Sequence, residues 1–155
     1  MKYSLSVKNL PPITAEFEGD ALIRLSLKKY TTKTLDIPPL VENLHKQLEE
    51  YAAGKRREFD VKIKLDGTPF QTAVWRELLK IKFGQTHSYQ EVAEAVGGAN
   101  KARAVGMAVH NNPICVIVPC HRVIGKNGSL VGFAEGLGVK AKLLEIEGVY
   151  PKRLQ

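Results

Sequence analysis

Residues 88–113 read SYQEVAEAVGGANKARAVGMAVHNNP and predict two short helices joined by a glycine turn. Ser88 and Glu91 have the spacing of a capping box, in which two side chains help to satisfy the free backbone N–H groups of a helix start. The glycine pair at Gly97 ends this helix, and a second helix follows over 100–110 until an Asn-Pro pair stops it. The outline matches a helix-turn-helix, although helical hairpins of this size are also common structural units.

The second helix of the pair carries small residues and a single arginine. A helix that reads base edges in the major groove usually presents long polar side chains. Ala102 and Gly106 would instead permit close approach to a narrow minor groove, with Arg103 as the one long probe. A helix packed inside the protein, with Arg103 in a salt bridge, explains the same pattern as well.

A further helix is predicted on each side of this pair. Before it, TPFQTAVWRELLKI at 68–81 has Thr68 as its N-cap and a proline at the first helical position. Trp75 lies beside the apolar stripe of this helix and is expected in the core. After the pair, the last helix places Leu143 on an apolar face and ends at Gly148.

The first part of the chain has a different pattern, in which alternating strands surround one helix. The predicted strands and helix cover 3–7, 13–17, 22–27, 40–53 and 59–65. This order predicts a small α/β lobe over residues 1–66, followed by a mostly helical lobe over 67–155. The expected fold class is therefore α+β.

Composition and charge indicate a folded protein with a basic second half. The chain has 155 residues, of which 44% are hydrophobic and 25% charged, and its formal net charge is +7. No carboxylate occurs from Ala95 to Ala134. Such a window favours a polyanionic partner or an electropositive reaction centre, and chance within an apolar core segment is the alternative.

The two cysteines, Cys115 and Cys120, are too few and too close together for a disulfide framework. No signal peptide or membrane span is recognisable, so we expect a cytoplasmic protein without a membrane partner. The two cysteines and four scattered histidines do not form a recognisable zinc-binding pattern. Neither a metal nor a cofactor is expected.

The segment VPCHRV at 118–123 places Cys120 directly before a histidine and close to basic residues. Ionising a free thiol at neutral pH costs about 2 kcal/mol, which nearby cations can supply. Neighbouring residues on a strand point to opposite faces, so contact between His121 and the sulfur requires a helical turn or a bridging water. The preceding run at 114–118 is expected to be a short strand or extended segment. An incidental, structural cysteine remains the alternative.

Taken together, PCHRV, the upstream arginine, the Asn-Pro hinge and the downstream glutamate resemble the O6-alkylguanine-DNA alkyltransferases. The resemblance covers about residues 67–149 and includes GTPFQTAVW and SYQEVA. It implies irreversible, single-turnover transfer of an alkyl group from O6 of guanine in duplex DNA to the sulfur of Cys120, with no cofactor. It also implies a ribonuclease H-like first lobe, a helix-turn-helix in the second, and a monomer.

The resemblance assigns catalytic roles to five residues. Cys120 would be the nucleophile, His121 the water-mediated base that ionises it, and Glu147 the group that orients the histidine. Asn112 would tie the hinge to the cysteine loop. Tyr89 would donate a proton or hydrogen bond to the departing guanine and help to rotate the nucleotide outward.

The same resemblance assigns DNA contacts and a guanine pocket. A base inside a duplex is out of reach, so the nucleotide is flipped out through the minor groove and Arg103 fills the vacated stack. The implied DNA contacts are Tyr89, Gln90, Ala102, Arg103, Gly106 and Lys126. The implied pocket residues are Val123, Phe133, Ala134 and Lys140.

Two positions differ from the commoner family pattern, because Cys115 stands where many relatives have proline and Ala134-Glu135 replace small or hydroxylated residues. These differences concern the accepted alkyl size more than the chemistry. A lesion sensor or transcription regulator without catalysis is the main alternative function. A Cys-His hydrolase is a third possibility, disfavoured by the absence of a cue for an oxyanion site.

Overall fold

The computed structural model describes residues 1–28, 37–126, 128, 133 and 136–149. Within these ranges the chain forms two small sheets and five α-helices, which confirms the α+β class. The strands are β1 (Lys2–Leu5), β2 (Ile13–Glu18), β3 (Ala21–Ser26), β4 (His87–Ser88) and β5 (Val123–Ile124). The helices are α1 (Pro39–Ala52), α2 (Pro69–Leu78), α3 (Tyr89–Val96), α4 (Ala102–His110) and α5 (Leu137–Ile146).

The first sheet is antiparallel with the order β1-β2-β3. Gly19 forms the turn of the predicted hairpin with a φ of +62°, a conformation that glycine adopts without strain. Strands β2 and β3 both contribute side chains to the core, where Ala15, Leu22 and Leu25 are fully buried. Burying this apolar face is what holds the hairpin in place.

The prediction of a strand at 59–65 is wrong. Its alternating residues are half-buried, as the pattern indicated, but only Ile63 pairs with the sheet, through an isolated bridge to Leu22. Leu22 supplies both backbone bonds, to Lys62 and Lys64. Alternation reports which side chains face the core, and it carries no information on the number of backbone partners.

The expectation of a strand or extended run at 114–118 is also wrong beyond its first residue. Ile114 forms an isolated bridge with Leu25, and the chain then coils into turns. The N–H of Ile117 donates to the carbonyl of Cys115 at 2.9 Å, and that of Val118 donates to Ile114 at 3.0 Å. A short apolar run fits a buried strand and a buried turn equally well, so periodicity could not separate them.

Helices α2 and α3 begin where the sequence predicted. Thr68 and Ser88 each form a complete capping box, with Gln71 and Glu91 respectively. Such a cap stabilises a helix by about 1 kcal/mol. Helix α2 packs against α3 and α4, and Trp75 of α2 is buried with its indole N–H donating to the carbonyl of Ala108 at 2.8 Å. Trp75 therefore lies in the core, as predicted.

The first sheet and the helices share one hydrophobic core. Leu25 and Cys115 contribute to it, and their backbones are hydrogen-bonded at 3.0 Å, so β3 directly supports the start of the cysteine loop. Helix α1 also contacts α5. Among the described residues, no helix is both long enough and apolar enough to cross a bilayer.

Candidate active site

Cys120 begins a short 3₁₀ turn, Cys120–Arg122, and only 3% of its surface is exposed. Pro119, with φ −81° and ψ 65°, forms an inverse γ-turn in which the N–H of Cys120 donates to the carbonyl of Val118 at 2.8 Å. Arg122 N–H then donates to the carbonyl of Pro119 at 3.0 Å. The helical turn required for Cys120 and His121 to share one environment is therefore present.

Asn112 fixes the loop that leads to this turn. Its side-chain amide donates to the carbonyl of Val118 at 2.8 Å and its side-chain oxygen accepts from the N–H of Ile114 at 3.0 Å. Between them lies Val116 with a φ of +74°, a conformation that costs a β-branched residue roughly 1–3 kcal/mol. The two Asn112 bonds hold the loop closed over this strained residue.

His121 and Glu147 form a fully buried pair. Nε2 of His121 lies 2.5 Å from Oε2 of Glu147. Burial lowers the pKa of His121, and the adjacent carboxylate opposes that shift. Burial alone would raise the pKa of Glu147, but hydrogen bonds from His121, Arg122 and Tyr51 hold it at about 2. A neutral histidine next to an ionised glutamate carries its proton on Nε2, which leaves Nδ1 as a base.

Nδ1 of His121 has no hydrogen-bond partner among the described residues, although it is buried. Buried polar atoms are nearly always paired, so an exception needs a functional explanation. A free lone pair on a neutral imidazole, one residue from a buried cysteine, is suited to accept the thiol proton directly or through one water.

Glu147 accepts further hydrogen bonds, from three other parts of the chain. Arg122 donates through Nε to Oε1 at 2.8 Å and through Nη2 to Oε2 at 3.1 Å. The backbone N–H of Gly84 donates to Oε1 at 3.1 Å, and the hydroxyl of Tyr51 donates to Oε2 at 2.6 Å. Nη1 of Arg122 is bound to the carbonyl of Ile81 at 2.6 Å. The carboxylate is thus fixed in position and its charge is compensated.

Tyr51 and Gly84 were not among the site residues predicted from the sequence, and neither was the pairing of Arg122 with Glu147. Tyr51 follows Leu44 and Leu48 on the buried face of α1, so helical spacing could have predicted its burial. Its partner lies 96 positions away, which no local pattern encodes. Gly84 has a φ of +82° and acts through its backbone alone.

A lysine and a tyrosine also lie near Cys120. Lys140 is buried, donates through Nζ to the carbonyl of Val123 at 2.6 Å, and lies 5.9 Å from the ring centre of Tyr89. Burial lowers the pKa of Lys140 to about 8, and the Cys120 sulfur partly opposes this. Burial and then Cys120 raise the pKa of Tyr89 to about 12. Both groups are therefore close enough to sense the charge of the sulfur.

The predicted pocket residues lie partly around this lysine. Val123 is buried and pairs with His87 in the parallel β4–β5 pair, which brings the start of α3 beside the cysteine turn. Phe133 is half-buried, and its ring centre lies 6.0 Å from Nζ of Lys140. Ala134 lies outside the described residues.

The predicted DNA contacts lie on exposed or half-buried positions. Gln90, Arg103 and Lys126 are exposed, and Ala102 is half-buried. Arg103 forms no salt bridge with a described residue, so the packed alternative for this side chain lacks its expected partner.

The exposed face of α4 combines a small residue with two long side chains. Gly106 faces Tyr89, and a methyl group added there would lie 4.0 Å from Cδ1 of the tyrosine. Met107 lies one turn after Arg103 and has 61% of its surface exposed, and it was not among the residues predicted from the sequence. No group of three or more histidine, cysteine or acidic side chains within the described ranges could hold a metal ion.

Comparison with known proteins identifies relatives for nearly the whole chain. The family model of the 6-O-methylguanine DNA methyltransferase DNA-binding domain matches residues 69–149. A methylated-DNA–protein-cysteine methyltransferase of Methanosarcina acetivorans is 41% identical over 155 residues, covering 96% of this chain and 99% of the relative. The enzyme of the same name from Mycobacterium bovis is 43% identical, covering 88% and 86%.

Solved structures give the same result. Mycobacterium tuberculosis OGT in complex with DNA superimposes with a TM-score of 0.83 at 42% identity, covering 92% of this chain and 89% of the other. An O6-methylguanine DNA methyltransferase from Methanococcus jannaschii has a TM-score of 0.70 at 27% identity, covering 99% and 97%.

The fold and the buried cysteine site define a methyltransferase of the DNA-repair class. More particularly, the chain belongs to the methylated-DNA–protein-cysteine methyltransferase family, as both the family model and the relatives above 40% identity show.

Proposed function

We propose that this protein repairs O6-alkylguanine in duplex DNA by moving the alkyl group irreversibly to the sulfur of Cys120. The observation that carries the proposal is the buried His121–Glu147 pair, whose neutral imidazole has Nδ1 free and lies one residue from the sulfur. The DNA complex of a relative at 42% identity supports DNA as the partner.

The proposed chemistry balances without a cofactor. The thiol proton passes to Nδ1 of His121 through a water molecule, and the sulfur attacks the alkyl carbon. The S–C bond forms while the C–O6 bond breaks, and the electron pair stays on guanine. A proton returns to the purine with help from Tyr89, whose pKa of about 12 keeps it a donor. The thioether product has no leaving group, so each molecule reacts once.

We further propose that α3 and α4 act as a helix-turn-helix on the minor groove and that Arg103 replaces a flipped nucleotide. The exposure of Arg103 and the small residues Ala102 and Gly106 on the same helix support this. The implied contacts of Gln90, Ala102 and Lys126 belong to the same proposal. So do the pocket of Val123, Phe133, Ala134 and Lys140, the division at residues 66 and 67, and the ribonuclease H-like first lobe. A monomeric state and a cytoplasmic location also remain predictions.

The test of the proposed function is intact-mass measurement after mixing the protein with a duplex that contains one O6-methylguanine. We expect one methyl group per protein molecule, with the amount of product equal to the amount of protein. Binding of the duplex without a mass change would instead support the lesion-sensor alternative. Clearance of many lesions by one molecule would contradict the single-turnover mechanism.

Arg103→Ala is expected to slow repair of a duplex lesion by about tenfold to a hundredfold. Without a side chain to fill the stack, the cost of a few kcal/mol for extruding the base is less well offset. Reaction with free O6-alkylguanine base needs no flipping and should change little. Single-turnover rates on both substrates measure the difference. Arg24→Ala removes one positive charge from the first sheet and serves as the control; equal losses on duplex and free base would contradict the role of Arg103.

Lys140→Met is expected to slow methyl transfer about tenfold at pH 7, because the variant loses a cation that stabilises the nearby thiolate. The deficit should shrink above pH 8, where Lys140 itself loses its charge. The pKa of Lys140 is about 8 in the folded protein and 10.5 in the reference state, so between these pH values the unfolded parent binds more protons than the folded parent. The unfolding free energy of the parent should therefore rise with pH in this range, relative to that of the variant. Rate profiles and urea unfolding measure both effects. Lys142→Met on the same helix is the control, and a pH-independent deficit would refute the charge argument.

A further inference from the structure

Tyr51 belongs to the first part of the chain, yet its hydroxyl lies inside the active-site network. The side chain is fully buried, and its hydroxyl donates to Oε2 of Glu147 at 2.6 Å. The same hydroxyl oxygen lies 3.4 Å from Nε2 of His121. Oε2 therefore receives hydrogen bonds from both the tyrosine and the histidine, and Tyr51 touches the two groups that control the thiol proton.

The ring of Tyr51 is held so that the hydroxyl cannot turn away. Tyr51 lies in the last turn of α1 and follows Leu48 on its buried face. Its ring packs edge-on against Phe83 at 6.0 Å between centroids and against Phe59 at 5.4 Å. Two aromatic contacts fix the orientation of a side chain that has only two rotatable bonds. Removal of the hydroxyl alone would leave this packing in place.

The charged and titratable groups facing Tyr51 are Glu147, His121 and Arg122, and the positive charge of Lys140 also acts on His121. Burial, and then the negative charge of Glu147, raise the pKa of Tyr51 above its ordinary value. The hydroxyl thus remains a proton donor over the whole working range. Its positive hydrogen points at the glutamate oxygen and opposes the addition of a proton to either Glu147 or His121.

We infer that Tyr51 is a positioning residue that lowers the proton affinity of His121 through the shared oxygen of Glu147, so that the first lobe completes the active site. This inference rests on the proposed function, in which His121 must be neutral to accept the thiol proton. Without the hydroxyl, His121 binds a proton more readily and becomes a base only at higher pH.

The test is the Tyr51→Phe variant, measured from pH 5 to pH 9 with two reactions. One is single-turnover methyl transfer from the O6-methylguanine duplex. The other is alkylation of Cys120 by iodoacetamide, followed by the mass of the Cys120 peptide, which requires no DNA. The variant loses a hydrogen bond to a charged group, and this loss should move the acid limb of each pH–rate profile to higher pH by about half to one unit. The rate below this limb then falls about threefold to tenfold, and the rate on the plateau changes less.

Tyr3→Phe is the matched control, because Tyr3 is also a buried tyrosine of the first part of the chain and packs on Phe17, away from the site. A profile of Tyr51→Phe that coincides with the parent, or one lowered equally at every pH, would overturn the inference; the second result indicates a merely structural role. If the parent transfers no methyl group, the proposed function fails, while the iodoacetamide profile still decides the role of Tyr51.

Discussion

A Cys120→Ala protein will gain no methyl group from a duplex containing O6-methylguanine, whereas the parent will gain one. The effect is expected to be complete, because the sequence has only two cysteines and, of these, Cys120 is the one followed directly by the histidine that can take its proton. Cys120 is the sequence neighbour of His121, whose Nδ1 has no partner among the described residues, and Cys120 also shifts the pKa values of Lys140 and Tyr89. Mass spectrometry of the intact protein and of its peptides measures the transfer.

Cys115→Ala is the control for this experiment. Cys115 is equally buried, but it lies in the turn after the Leu25 bridge, where its backbone N–H donates to Leu25. We expect this variant to accept one methyl group at Cys120. A methyl group found on the Cys120→Ala protein would disprove the assignment of the nucleophile. Retained duplex binding by Cys120→Ala would separate the loss of chemistry from a loss of recognition.

Glu147→Gln should cost about 3–5 kcal/mol of unfolding free energy and slow methyl transfer at least about a hundredfold. The carboxylate accepts hydrogen bonds from Tyr51, Gly84, His121 and Arg122, and a neutral amide would leave the buried Arg122 charge without its counter-ion. An amide also presents N–H groups toward other donors, so at least one buried hydrogen bond is lost. Urea unfolding and single-turnover rates measure the two losses.

The stability difference between the parent and Glu147→Gln should also depend on pH. The pKa of Glu147 is about 2 in the folded protein and 4.5 in the reference state, so the unfolded parent takes up a proton first as the pH falls. The contribution of the carboxylate is complete above about pH 5 and is lost progressively down to about pH 2. The difference should therefore be constant near neutrality and shrink in acid.

Glu18→Gln provides the matched control. Glu18 pairs with Lys64 at 2.8 Å, but both side chains are more than half exposed, so the pair is screened by solvent. We expect no measurable change in its unfolding midpoint or methyl-transfer rate. An unfolding curve of Glu147→Gln that matches the Glu18→Gln curve would show that the buried network does not stabilise the fold.

Local chemistry explains why the helix starts were predicted correctly. A capping box needs only a side chain and a backbone group three residues apart, and both Thr68 and Ser88 lie where their boxes form. The hairpin around Gly19 is equally local. The predictions of extended strands at 59–65 and 114–118 were wrong, because a strand needs a ladder of backbone hydrogen bonds to partners from distant parts of the chain.

The sequence by itself determined the adjacent Cys120 and His121, the capped helices and the basic, acid-free segment, because each depends on neighbouring residues. Only the tertiary structure decided which groups surround Glu147. Tyr51 lies 96 positions before it, and Gly84 contributes a backbone N–H that every residue type except proline carries. A buried carboxylate is stabilised by every donor that the packed core places within hydrogen-bond distance of it. Tyr51 comes within that distance of Glu147 only when α1 packs against α5.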